Sequence, residues 1–255
     1  MMAARTRATR EGRARPSRAH TTPKALRTRR QILDCSLALF RERGFDGTSM
    51  REIASNAGLS LGSTYYHFPS KEALVLEYYR ETQEAAERHN DETIEATDVF
   101  AERLNDLVDY KLEQLADDRR VVTALARTAL DPSNALSPFH PGTWEIRDAA
   151  IAMIEKLVDG SDLKVHPELR PYVARFLWLY QMGILFLWLH DRSEGQARVA
   201  RVVRGSQALL SALLPITAAR LPGMRKTVRG LVALLRDLSF WEDPVDETAR
   251  SVQRR

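Results

Sequence analysis

Apolar residues recur at helical spacing through almost the whole chain, and no stretch shows the two-residue alternation of a half-buried strand. The period predicts a first helix over about 24–43, with Ile32, Leu33, Ser36, Leu39 and Phe40 on its buried side. A fourth helix is predicted over 70–96, through Leu74, Tyr78 and Ala85, and it turns polar from Glu84 onward. Further helices are predicted over 99–116, where Phe100, Leu104, Leu107, Val108 and Leu115 share a face, and over 120–130. Residues 131–142 hold three prolines and predict a loop. Helices are then expected over 144–158, 169–190, 197–214 and 223–238, with a break at 160–167 and a frayed tail from Glu242. There is no internal repeat. The fold class that follows is all-α.

Residues 48–71, TSMREIASNAGLSLGSTYYHFPSK, interrupt this series of long helices with two short ones. Met50, Ile53, Ala54 and Ala57 give the first an apolar face. Thr48 and Ser49 are both good N-caps, and Ser49-x-x-Glu52 has capping-box spacing. Gly58 stands where a left-handed residue ends a helix, and Ser60 can cap a second helix running to about Phe68. Leu59 and Thr64 can bury against the first helix, which leaves Leu61, Gly62, Ser63, Tyr65, Tyr66 and His67 outward or sideways. Two helices joined by a short glycine turn are the helix-turn-helix signature, whose second helix enters the DNA major groove. An ordinary core hairpin would not need hydroxyls, aromatics and a histidine on the outer face of its second helix.

Charge placement sharpens this picture. The formal charge is +4, but residues 1–30 hold ten Lys/Arg and one Glu, a local +9 that leaves −5 for the rest. Such asymmetry points to a polyanion partner at the N-terminal end. Residues 1–22 carry six Arg and no Leu, Ile, Val, Phe, Tyr or Trp, so they cannot bury a core and are expected to be a disordered arm. The arm can still add phosphate contacts or reach a minor groove; its Arg-rich composition also mimics a transit peptide. The single cysteine, Cys35, excludes internal disulfides and reads as a small buried hydrophobe. The most apolar run, 176–189, has fourteen residues, short of the roughly 20 that span a bilayer. The expectation is a core helix in a cytoplasmic protein without membrane contact.

The helix-turn-helix segment resembles the DNA-binding domain of the tetracycline-repressor (TetR) family. The likeness starts at Arg29-Arg30-Gln31-Ile32-Leu33 and passes through Leu39-Phe40, Gly44-Phe45, Thr48, Ile53-Ala54 and Ala57-Gly58. It continues through Gly62 to Phe68 and Ser70 to Leu74, about fifty residues with the spacing intact. The resemblance implies a three-helix DNA-binding domain over 23–70, a ligand-binding and dimerisation bundle over 71–240, and a tail over 241–255. It implies a homodimer on a palindromic double-stranded operator, repression as the usual mode, and an unknown small-molecule effector. By resemblance, Leu61, Gly62, Ser63 and Tyr66 face base edges, while Thr48, Arg51, Tyr65, His67 and Lys71 hold phosphates. Ser63 can serve any base, and Leu61 suits a thymine methyl. The recognition helix lacks Arg, Asn and Gln, so specificity leans on shape, apolar contacts or the arm. The alternative is a helix-turn-helix protein that binds DNA without sequence preference, or another protein, and has no ligand switch.

The helix through 176–189 is apolar nearly all round, so one of its faces has to meet something beyond its own domain. Its partner carries Val199, Val202, Val203, Leu209, Leu210 and Leu213, with Gly205, Ser206, Ala208, Ser211 and Ala212 allowing close approach. In the family the matching pair builds a four-helix bundle between subunits. Two recognition helices entering successive major grooves then stand roughly 34–36 Å apart. Candidate ligand residues are Tyr110, His140, Trp144, Trp178, Gln181 and Met182, with Arg147, Tyr180 and Phe186 beside them; each also reads as plain core or interface. No phosphate loop, nucleophile elbow or HExxH is present, the six histidines lack ligand spacing, and Asp117-Asp118 reads as a solvated helix end. No cofactor, metal site or catalysis is expected.

Overall fold

In the computed structural model the described residues are 22–129, 131, 133–219 and 222–237. The arm expected over 1–22, Thr22 apart, and the tail expected over 241–255 lie outside them. The described residues form ten α-helices and no strand. The first four are α1 (Pro23–Arg43), α2 (Met50–Asn56), α3 (Leu61–His67) and α4 (Lys71–Ala96). They are followed by α5 (Phe100–Gln114), α6 (Arg119–Ala129), α7 (Trp144–Val158), α8 (Arg170–His190), α9 (Ala197–Leu213) and α10 (Met224–Asp237).

Helix starts follow local chemistry. The Thr22, Ser49, Ser60 and Ser70 side chains each accept a hydrogen bond from an amide three residues on, satisfying a donor the helix leaves orphaned. At Ser49 the capping box is complete, because Glu52 accepts from the Ser49 amide at 2.8 Å. Gly58 takes φ +63°, the left-handed conformation the turn between α2 and α3 requires.

Two large hydrophobic cores and a smaller cluster of Leu169, Tyr172, Val228 and Val232, where α10 meets the start of α8, hold the described residues together. The body core joins α5, α7, α8 and α9 around Met153, Ile154, Leu157, Leu177 and Trp178. Arg103, 4% exposed, ties two helix ends across it. Its guanidinium donates to Ile94 O and Thr97 O at the end of α4, and to Leu157 O and Asp159 O at the end of α7. These are carbonyls that have no partner within their own helices.

The head core packs Ile32, Leu33 and Phe40 of α1 against Ile53 of α2, Phe68, and Leu74, Val75 and Tyr78 of α4. It does not stop there. Val121 and Leu125 of α6 and Leu136 of the following loop belong to the same cluster. Asp118 completes the junction, and it is not the solvated end read from the sequence. It is 4% exposed, and it accepts from Arg41 Nε at 2.6 Å and from the Tyr78 hydroxyl at 2.8 Å. A buried carboxylate needs such partners, and they come from residues 77 and 40 positions away, which local spacing does not reveal. The next residue, Arg119, donates to Trp188 O at 2.7 Å and to Asp191 O, closing the end of α8.

The fourteen-residue apolar run lies inside the longer helix α8, whose bounds match the expected 169–190 to within one residue. The helix spans 21 residues, and by length and composition both it and the 25-residue segment Glu194–Ala218 are long enough to cross a membrane. In this fold α8 packs into the body core, with Leu177, Trp178, Ile184 and Trp188 buried.

Candidate nucleic-acid interface and ligand cavity

The head holds α3 from behind. Arg29 donates from one guanidinium nitrogen to His67 O at 2.9 Å, pairs with Glu77 at 2.8 Å, and lies 4.1 Å from the Phe68 ring centre. Gln31 donates to Ala57 O at 2.8 Å, so one turn of α1 grips the ends of both α2 and α3. Thr64 is the inward residue of α3 and is fully buried. The opposite face is open: Gly62, Tyr65 and Tyr66 are exposed, Tyr66 at 79%, and Leu61, Ser63 and His67 are partly so. The Tyr66 and His67 rings meet edge-on at 5.3 Å. No atom would lie within 4 Å of a Cβ placed on Gly62, so the α3 backbone there is accessible to a close partner.

Other predicted DNA residues are placed differently. Arg51 is exposed on α2. Lys71 is half-buried, donating to Phe45 O at 2.6 Å with its ammonium 4.4 Å from the Phe45 ring centre. Two of its three donors remain for another acceptor. Thr48 is 2% exposed, and its hydroxyl donates to Gly44 O at 2.8 Å. Its side chain therefore faces inward and fastens the α1–α2 turn.

A cavity of about 220 Å³ lies among α4, α5, α6, α7 and α8. Trp178, Gln181 and Met182, three of the candidates read from sequence, line it, as does Arg147. Tyr110, His140 and Trp144 do not. Tyr110 stacks on His89 at 4.0 Å between α4 and α5, His140 accepts from the Gly142 amide at 3.0 Å, and Trp144 is 43% exposed. Tyr180 meets Ser206 of α9 at 2.8 Å, and Phe186 is 46% exposed. Lys111, Tyr79 and Thr82 line the cavity and were not anticipated. Lys111 stands three residues from Val108 and four from both Leu107 and Leu115, within the apolar stripe of α5, and that spacing is the signal that could have found it. Burial pulls its pKa down to about 8 and pushes the Tyr79 phenol up to about 12.

A compact three-helix head with an open second helix, on an all-helical body with a largely apolar cavity, defines a helix-turn-helix DNA-binding regulator. Comparison with known proteins narrows the class. Residues 32–78 match the family of bacterial regulatory proteins of the tetR type, and residues 103–228 match the tetracyclin repressor-like C-terminal domain. The HTH-type transcriptional regulator UidR of Escherichia coli (strain K12) is 31% identical over 188 residues, which cover 73% of this chain and 93% of UidR. The chain belongs to the TetR family of bacterial transcriptional regulators.

More local matches are stronger in identity. The HTH-type transcriptional repressor KstR2 of Rhodococcus jostii (strain RHA1) is 48% identical over 52 residues, 20% of this chain and 26% of KstR2. YerO of Bacillus subtilis (strain 168) is 50% identical over 52 residues, 19% of this chain, and the match spans only 18% of YerO. Among solved structures, a putative TetR-family regulator from Syntrophomonas wolfei superposes with a TM-score of 0.59 at 19% identity, over 73% of this chain and 96% of that one. Salmonella enterica GusR gives 0.57 at 23% identity, over 76% and 99%. These two share the fold. The relatives are named as transcriptional regulators, which points to a regulator and not an enzyme.

Proposed function

We propose that two copies of this chain pair through α8 and α9 and read a two-fold-symmetric operator as a cytoplasmic repressor, which a small molecule in the cavity releases. The observation that carries the DNA half is the open face of α3, with Tyr66 at 79% exposure beside Gly62, Ser63 and His67. In this reading Leu61, Gly62, Ser63 and Tyr66 meet base edges. Arg51, Tyr65, His67 and the remaining donors of Lys71 hold phosphates and fix register. Thr48 acts only by holding the turn.

Pairing is supported by an apolar seam left outside the body core. Phe176, Phe186 and Leu187 of α8 and Val202, Leu209 and Leu213 of α9 are 40–61% exposed. Gly183 and Gly205 leave open space beside them, which lets two helix pairs approach closely. Contiguous exposed apolar surface of this kind marks an interaction site.

Release is supported by a shared wall. Leu136 belongs to the head core and also lines the cavity, and Leu115 and Tyr79 touch both. A ligand that prefers one packing of this wall biases the head, because a ligand shifts an equilibrium only by its differential affinity for the two states.

The test is selection of bound sites from random duplex DNA at about 200 mM salt, where nonspecific binding is suppressed. A palindromic motif supports the reading, and no motif from folded dimeric protein overturns it. Ser63→Ala is then expected to change site preference, whereas Lys71→Ala weakens every site alike; if both act uniformly on all sequences, specific readout by α3 is wrong.

A further inference from the structure

Lys111 is the one ammonium in the cavity lining. Its Nζ donates to Gln83 Oε1 at 2.9 Å, and Gln83 is in turn only 6% exposed. Among the described residues no carboxylate lies within ion-pair distance of Lys111. An ammonium has three donors, and a neutral amide oxygen satisfies one of them. Holding a charge under these conditions costs free energy, which is why its pKa falls to about 8. The other titratable groups facing the space are Tyr79 of α4, a neutral phenol, and Arg147 of α7, already paired with Asp148 at 2.8 Å. A second observation comes from α8. Gln181 is 7% exposed, lines the same cavity, and its side-chain oxygen is buried without a hydrogen-bond partner. Buried acceptors are rarely left so.

Lys111 is therefore an uncompensated cation in an otherwise apolar cavity, and the Gln181 oxygen is a second polar point there, to be met by a donor on the ligand's body and not by its carboxylate. We propose that the cavity takes an organic monoanion, a carboxylate on a compact apolar body, with its head at Lys111 and its body against Trp178, Met182 and Leu185. The proposal rests on the cavity being the effector site. One unpaired cation favours a single negative charge, since a phosphate dianion would bury a charge that nothing offsets. Size sets the body: a cavity of about 150 Å³ takes benzene, so about 220 Å³ suits an acid of roughly eight carbons.

The experiment is calorimetric titration of the full-length protein with octanoate and with octanamide, its uncharged isostere, at pH 7. Octanoate is expected to bind more than about tenfold tighter, in line with a charge-assisted hydrogen bond in a desolvated site. Lys111→Met is expected to erase that preference while keeping octanamide binding. A wild-type measurement stands beside the variant. At about pH 8.5, a titration repeated in buffers of different ionisation enthalpy should record proton uptake with octanoate and none with octanamide, because the bound anion restores the ammonium. Equal affinities for the two probes, or a preference that survives Lys111→Met, overturn the charge assignment and leave the cavity reading intact. If neither probe binds and naphthalene also fails, the cavity reading itself falls.

Discussion

Asp117 is exposed, whereas Asp118, one peptide further along, is 4% exposed and accepts from Arg41 and Tyr78. Asp118→Ala would strand the tyrosine hydroxyl and loosen an arginine. It should destabilise by about 2 kcal/mol, read as a lower urea midpoint at unchanged slope. Asp117→Ala should stay within about 0.5 kcal/mol. Lys111 gives a second prediction, with a sign fixed by its lowered pKa. Below about pH 8 the ammonium is charged in both folded and unfolded chains, and the folded state bears the full cost of burying it. As pH rises from about 8 toward the ordinary 10.5, the unfolded chain holds more protons, so stability increases over that window. Lys111→Met should be more stable at pH 7 by about 1 kcal/mol and should lose this rise; a melting-temperature series across the window decides it. Asp118 was not legible as special in the sequence, because its partners lie on other helices and a lone Asp at a helix end has the pattern of a solvated one. Lys111 carried a signal, since it interrupts the apolar stripe of α5 four residues from both Leu107 and Leu115.

Helices, by contrast, were legible nearly end to end. Their boundaries depend on local chemistry, such as the serine caps before α2, α3 and α4 and Gly58 between α2 and α3. The all-round apolarity of α8 was legible too, and so was its length, since the helix expected over 169–190 runs from Arg170 to His190. Trp178, Gln181 and Met182 were found as cavity residues because pockets between helices are lined by apolar and aromatic side chains with a few polar groups. Tyr110 and Trp144 satisfied the same criterion and point elsewhere, since residue type carries no information on helix phase. At this scale the seam of α8 and α9 makes its own prediction. Leu209, 61% exposed, lies on the outer face of α9. Leu209→Glu would place a charge where apolar surface has to be covered. It should raise the dimer dissociation constant at least about 100-fold with helix content unchanged, measured by light scattering and circular dichroism. A mass that stays dimeric at micromolar protein would remove this seam as the interface.

At the scale of the whole molecule, head and body are not two cores joined by one long helix. The head core runs into α6 and Leu136, and Arg119 closes the end of α8 while its neighbour Asp118 holds α1 and α4. The sequence does not reveal this junction, because helical periodicity is a local pattern and a wall shared between distant helices is not. The consequence of two opposed ties on consecutive residues is a joint without slack. Adjacent Cα atoms stand about 3.8 Å apart whatever the rest of the chain does. The end of α8 and the underside of the head can therefore swivel about that peptide but cannot slide past one another. Spin labels at positions 42 and 192, in a Cys35→Ser background, should keep one separation when the two heads of a dimer change theirs. A separation between 42 and 192 that moves with the heads would mean that one of the two ties had opened.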